Sequence, residues 1–512
     1  MLLYTRELVA PRPGRGQGLL RFKKRPPTNK CLERLRQSLT HSTIHGMLHV
    51  FEERHLWQKS LWLAIVLGAT VGGLSMYSVL RARLDEQVLV SLIETTQQPV
   101  YHIEFPAVAV CPWSHVNWDR AESAIKRFLP LNPDEELRES FRQLLNVLEL
   151  TSFENFKSAS VLSKRNLTEL GSMSMIKLIN YLAYRCDELF VKDSCEFDET
   201  SYDCCKLFVP EQTEKGQCLV FNSLISEHSQ KKQLTNKFYP YRLSTAGEES
   251  GLKFTLNVSY AFVREGRHIP FGMNLMIKQP RQWSNKMMYH LYPHTENFVA
   301  VHPSVVETST NTLFMSPIKR RCYFDSEKNP MYRNTSLPYN RENCLAVCLH
   351  HVVLNTCNCS SPVFLPPIGG TRECAVTDGQ CLADNSDIFS YSKTRDQDKY
   401  IKDSSRGHFC DCPDNCNSRQ YQMTLNVRKL NYPKNSTDSL IRAQVYYGQR
   451  VMTKIITKLK YTDLDLLANF GGIISLYMGA SALSFVELAV LLAKILWALL
   501  KSRYEKCKSR IK

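Results

Sequence analysis

The chain has no HExxH helix, no glycine-rich phosphate loop and no GxSxG nucleophile elbow. Without such a constellation nothing in it points to an enzyme. Long apolar runs are scarce too, and the mean hydropathy is slightly polar, which excludes a many-pass transporter. Only two segments reach membrane length. Residues 61–80 (LWLAIVLGATVGGLSMYSVL) carry no charge. At about 1.5 Å per helical residue they cover about 30 Å, one hydrocarbon thickness. Residues 466–486 (LLANFGGIISLYMGASALSFV) are also uncharged, and the apolar stretch continues to Leu500 with only Glu487 and Lys494 interrupting it. A buried core helix would be shorter and keep a polar face. A cleaved signal peptide would start nearer the first residue and end at a small-residue site.

Acidic residues are in deficit: 49 Asp and Glu stand against 65 Lys and Arg, for a net charge of +16. Basic chains often bind nucleic acid. Here the cations gather beside the two apolar runs, between Arg6 and Lys59 and again at Lys501, Arg503, Lys506, Lys508, Arg510 and Lys512. Lipid headgroups account for them, and no nucleic-acid partner is expected. By the excess of basic residues at their flanks, both termini are expected in the cytoplasm.

Cysteine is nearly missing from those termini. Of 18 cysteines only Cys31 and Cys507 lie there, and the rest fall between the two runs. Dense, even-numbered cysteine beyond a membrane reads as disulfides in an oxidising compartment. Spacings such as Cys344-x3-Cys348, Cys357-x-Cys359 and Cys410-x-Cys412 also occur in zinc sites. The compartment favours disulfides, and no metal is expected. Glycosylation sequons keep to the same segment, at Asn166, Asn257, Asn334 and Asn435. A fifth, at Asn358, overlaps Cys359.

The expected layout follows. Residues 1–59 form a cytoplasmic region, loosely ordered at first and helical near the membrane. Residues 60–82 form a transmembrane helix. Residues 83–462 form an extracellular cysteine-rich domain, 463–500 a second transmembrane helix, and 501–512 a cytoplasmic tail. Within the extracellular part, strands are expected at 105–111, 251–263, 272–278, 420–428 and 443–460, and helices between 119 and 190.

The second run holds Gly471, Gly472, Ser475, Gly479, Ala480 and Ser481. Small residues allow close helix approach. They also let the backbone leave helical geometry where carbonyls line water, as in ion filters. Both readings stand on these residues alone. Glu487 costs about 2.5–3.5 kcal/mol in an apolar helix, so it should face a cavity or a partner. A ring of such carboxylates would concentrate cations; a pairing with Lys494 is the other reading. His45-Gly46, before the first run, is on its own a chance dipeptide.

Together these pieces resemble the epithelial sodium channel/degenerin family, most closely its arthropod pickpocket branch. The resemblance runs from about residue 40 to the end of the second apolar run. It rests on His45-Gly46, FPAVAVC (105–111), GQCLVFN (216–222), RRCYF (320–324), CLAVC (344–348), CNC (357–359), CDCPDNC (410–416) and LLANFGGIISLYMGASALSFVEL (466–488). It implies a two-pass membrane protein with a large disulfide-rich α+β ectodomain, made of a β-sheet palm with helical thumb and finger. It implies a trimer with two further subunits of the same kind, passing sodium through the plasma membrane without any cofactor.

By position, Gly479, Ala480 and Ser481 would form the selectivity filter, and Ala468 would mark the site where bulky residues hold degenerins open. Ser475 would sit at the amiloride level, with Asn469, Gly471, Gly472 and Glu487 along the pore and His45-Gly46 a gating motif. The implied bridges are Cys111–Cys218, Cys195–Cys204, Cys186–Cys205, Cys322–Cys416, Cys344–Cys412, Cys348–Cys410, Cys357–Cys381 and Cys359–Cys374. Two departures are visible. Asn469 stands where many relatives have Asp, and Ile473-Ile474-Ser475 where they have Gln-x-Gly. The first puts proton gating and calcium block in doubt. A non-conducting membrane-anchored receptor would explain the cysteines and sequons equally well, but not the glycine-serine interruption or Glu487.

Overall fold

The computed structural model describes residues 45–52, 55–86, 89–152, 156–164, 168–258, 272–283, 285–327, 339–360, 371–393, 397–400, 402, 405–430 and 439–487, and residues 489–500 in part. The chain divides into two compact units. One combines the segments up to Val88 and from Lys460; the other is Leu89–Leu459.

The larger unit is built on two sheets. In the first, the long strand Thr295–Thr308 alternates buried and partly exposed residues, as a strand with one covered face must. Ser418–Lys429 pairs with it antiparallel along one edge. Along the other edge run Leu440–Tyr447 and then Val451–Leu459, both parallel to it. Val451–Leu459 also pairs antiparallel with Leu89–Pro99, the strand that follows the first apolar run. The second sheet is wholly antiparallel, in the order Phe208–Thr213, Gly216–Phe221, Ala107–Pro112, Met273–Lys278, Met288–Leu291.

Ala107–Pro112 is expected from its alternation, yet all six of its residues are buried. Val108 and Val110 face the main core, with Phe105, Phe208, Phe221, Phe254 and Tyr447. Ala107, Ala109 and Cys111 face a smaller cluster with Val220 and Met276. A strand covered on both sides needs apolar residues at every position.

The GQCLVFN signature is structural. Gly216 has φ +79°, and the ring of His115 lies 3.3 Å from where its Cβ would be. Cys218 bridges Cys111. Asn222, left-handed at φ 58°, donates to the carbonyl of Phe105 at 2.6 Å and accepts from the Tyr241 amide at 2.7 Å.

Helices Ala121–Phe128, Glu135–Leu150 and Met175–Leu182 form a separate core around Phe141, Leu144, Leu145 and Leu178. Asp134 caps the second of them, its carboxylate accepting from the Leu137 amide at 2.7 Å. Helix Arg341–Cys357 is the framework of the cysteine-rich part. Asn340 caps its start, and Asn358 closes it in the left-handed region. Cys344 and Cys348 lie one turn apart and bridge Cys412 and Cys410. Cys357–Cys381, Cys359–Cys374 and Cys322–Cys416 complete this part. Cys186–Cys205 and Cys195–Cys204 staple the region between the helical core and the sheet. These eight pairs are the pairing that the family resemblance implies.

Two histidines with desolvated rings make the fold acid-sensitive. His115 is half-buried with its Nδ1 out of solvent, and desolvation with Lys215 nearby holds its pKa down at about 4. His350 bonds Ser360 at 2.9 Å, and burial with His351 nearby lowers it to about 4 as well. The unfolded chain protonates these rings near pH 6.5. Their neutral burial therefore contributes stability that is complete above pH 6.5 and is lost as pH falls toward 4. The melting temperature of the purified protein is expected to drop across that window. His115→Gln and His350→Gln should each flatten the drop. An unchanged profile in the double variant would reject this assignment.

Candidate functional site

The smaller unit brings together three of the motifs read from the sequence. Its long helix, Leu56–Glu86, extends beyond the expected 60–82 at both ends. It is apolar enough to cross a membrane. The second apolar run does not form one helix. Asp463–Met478 is helical, and a further helical segment from Ala482 to Lys494 is bent by 76° from it.

The first piece starts with a capping box. Thr462 Oγ1 accepts from the Asp465 amide at 3.2 Å, and the Asp465 carboxylate accepts from the Thr462 amide at 2.9 Å. It ends at Gly479, whose φ of +61° cannot continue a right-handed helix. The Gly479 amide donates to the Ser475 carbonyl at 2.9 Å. Ser481 then starts the next piece: its amide donates to Ser484 Oγ, and its carbonyl accepts from the Ser484 amide, both at 3.0 Å. Gly479-Ala480-Ser481 is thus the non-helical joint of a broken helix. Ala480 is buried at that joint.

His45-Gly46 closes the joint from below in sequence. The His45 amide donates to the Met478 carbonyl at 3.1 Å, one of the carbonyls a helix end leaves without an internal partner. The His45 ring occupies the place where a Cβ on Gly479 would go. Gly46 has φ +86°, and a Cβ there would meet Val66 at 2.8 Å. The short helix Met47–Glu52 then folds back along the long helix, with the His49 ring stacked on Trp62 at 4.4 Å. The helix expected near the membrane within residues 1–59 is interrupted by a turn at His45-Gly46, and residues before 45 lie outside the description. A dipeptide with no signal of its own therefore packs against the small-residue joint.

The two long helices run in opposite directions. Tyr77 meets Phe470 edge-on at 5.4 Å, and Tyr477 lies over Gly72 and Gly73. A Cβ on Gly72 would approach the Tyr477 ring to 2.8 Å. Gly72, Gly73 and Tyr477 were not singled out by sequence reasoning. The signal was present as a glycine pair inside an apolar run, where close approach is the usual cause.

Ala468, Asn469, Gly471, Gly472 and Ser475 lie on exposed positions of Asp463–Met478. Apart from the Ser475 carbonyl, which accepts from the Gly479 amide, the structure does not bring them to the joint. Gly471 and Gly472 face open space, with nothing within 4 Å of an added Cβ. Glu487 is exposed on the segment after the joint. Of the sequons, Asn257 is half-buried in strand Leu252–Asn257 opposite Leu440. Asn166, Asn334 and Asn435 lie outside the described residues.

The profile of the family described as "Amiloride-sensitive sodium channel" matches residues 38–491. The chain is 67% identical over 513 aligned residues, all of both chains, to Pickpocket protein 19 of Drosophila melanogaster. It is 21% identical to Pickpocket protein 11 of the same species, over 87% of this chain and 73% of that one. It is 21% identical to Acid-sensing ion channel 1C of Danio rerio, over 90% of this chain and 84% of the other. With its profile matched through both apolar runs and a full-length relative this close, the chain belongs to the amiloride-sensitive sodium channel family.

Proposed function

We propose that the chain is a pore-forming subunit of a plasma-membrane sodium channel, passing sodium down its gradient with no cofactor and no catalytic step. The observation that carries this reading is the broken helix: an apolar run interrupted at Gly479-Ala480-Ser481, with the joint tied to His45-Gly46. Such a break in a membrane helix is tolerated where its backbone lines water or protein, and carbonyls there can replace an ion's hydration shell.

The rest of the assembly follows from that reading. One chain with two spans cannot enclose a pore, so three copies, or this chain with two relatives, surround it. The opposite run of the two helices supports two membrane crossings, with both termini in the cytoplasm and 83–462 outside. Gly471 and Gly472, open in the single chain, leave room for a neighbouring subunit. Gly479, Ala480 and Ser481 are the filter, Ser475 the amiloride level and Ala468 the gate position. Asn469 lines the outer end and Glu487 the inner one. Glycans on Asn166, Asn257, Asn334 and Asn435 fit the extracellular assignment.

The test is whole-cell current in cells expressing Ala468→Phe. A sodium current that vanishes on replacing bath sodium with a large organic cation, and on adding amiloride, is expected. A sodium current indifferent to amiloride would reject the Ser475 assignment. Silence at normal surface density, alone and with a related subunit, would reject the pore.

A further inference from the structure

The chain enters the larger sheet at Leu89, three positions after Glu86, and leaves it at Leu459, four positions before Asp463. Both links between this sheet and the apolar helices therefore leave from the same end of the sheet. Leu89 pairs with Leu459 there, and Ser91 with Thr457. A loop over residues 309–321 hangs from the same end. Thr308 pairs with Thr457, and the Ser309 amide donates to the Thr457 carbonyl at 2.8 Å.

The loop has a filled inside and an apolar outside. Thr312 and Met315 are buried. The buried guanidinium of Arg320 donates to the carbonyls of Thr312 and Met315, both at 3.0 Å, pairs with Glu327 and lies over the Phe324 ring. Cys322, just beyond, is bridged to Cys416. With that interior occupied, the remaining apolar residues cannot turn inward. Leu313 is 47% exposed, Phe314 77% and Ile318 86%. Lys319 and Arg321 are exposed beside them, and so is Lys458 on the same end of the sheet.

We propose that this loop is a membrane-surface anchor. Leu313, Phe314 and Ile318 enter the boundary between headgroups and acyl chains, while Lys319 and Arg321 bind phospholipid phosphodiesters. The inference rests on reading the two apolar helices as membrane spans. Large apolar tips ringed by cations match what a lipid interface selects. The exposed charges flanking the tips carry the sign that the phosphate level attracts. Rigid clamping from within removes the ordering cost that a floppy loop would meet on docking.

The experiment uses the full chain in nanodiscs of phosphatidylcholine and phosphatidylethanolamine. A photoreactive p-benzoylphenylalanine replaces Phe314, Ile318, Leu74 of the first apolar helix, or the exposed Leu131 between helices Ala121–Phe128 and Glu135–Leu150, one at a time. Lipid adducts read by mass spectrometry are expected at 314, 318 and 74 but not at 131. Lys319→Glu with Arg321→Glu should cut the adduct at 314 several-fold. Adducts at 74 without adducts at 314 would overturn the anchor and leave the spans intact. So would a crosslink from 314 to protein, whether the same chain or a second copy. No lipid adduct at 74 would overturn the membrane reading itself.

Discussion

Gly479→Val is expected to reduce sodium current by roughly tenfold or more at unchanged surface density, since a left-handed backbone costs a residue with a Cβ about 1–2 kcal/mol before any clash is counted. The clash is specific. The site of the new Cβ is already filled by the His45 ring, and the Met478 carbonyl beside it is held by the His45 amide. Valine must displace the N-terminal segment, reshape the joint, or both. Gly479→Ala should have a smaller effect of the same kind. Combining it with His45→Ala should recover part of the loss, because the steric conflict goes while the backbone strain stays. Gly471→Ala is the contrast. Nothing in the chain itself lies within 4 Å of a Cβ there, so the fold of the single chain should be unaffected. Currents in an Ala468→Phe background, with surface biotinylation, would decide. Normal conduction in Gly479→Val would mean that ions do not pass this joint.

The largest stability effect is expected at Lys278. Its ammonium is fully buried, donating to Glu211 at 2.5 Å and to the Trp283 carbonyl at 2.7 Å. Trp283 is also the link to the cysteine-rich helix. Its amide donates to Asn343 Oδ1 at 2.6 Å, and its indole to the Gln212 carbonyl at 2.9 Å. Lys278→Met leaves the Glu211 carboxylate buried without its counter-charge, a change that costs about 3–5 kcal/mol. Pairing it with Glu211→Leu removes the orphaned charge and should restore most of the lost stability, since apolar replacement of a buried pair is often neutral. Thermal unfolding of the purified full chain would measure both. Equal melting temperatures for the parent and Lys278→Met would show that the pair carries no such energy. A double variant as unstable as the single one would locate the damage at the Trp283 contact instead.

Much of this protein is legible in its sequence, because the relevant signals are local. The two apolar runs, the basic flanks and the concentration of cysteines between them each follow from composition over a short window. So do the strands at Ala107–Pro112 and Met273–Lys278, whose apolar residues suit a covered sheet. The Gly479-Ala480-Ser481 interruption is visible as small residues where lipid would favour large ones. What those residues do was ambiguous, since helix packing and a helix break call for the same residue types. Disulfide pairing was not legible from spacing and came only through resemblance, because many pairings of the same cysteines are possible.

The sequence by itself determined the class of the molecule: two apolar runs of membrane length, an oxidised domain between them and a weak point in the second. Those properties depend on residue chemistry within one segment. Tertiary structure alone decided which distant residues meet. It set His45 against Gly479, although 434 positions of sequence separate them. It seated Tyr477 on Gly72 and Gly73, buried Lys278 beside Glu211, and left Phe314 and Ile318 outside a clamped loop. A turn, a glycine pair and a lysine look alike in sequence wherever they occur. Their roles come from the space and charge around them, and those are properties of the folded chain.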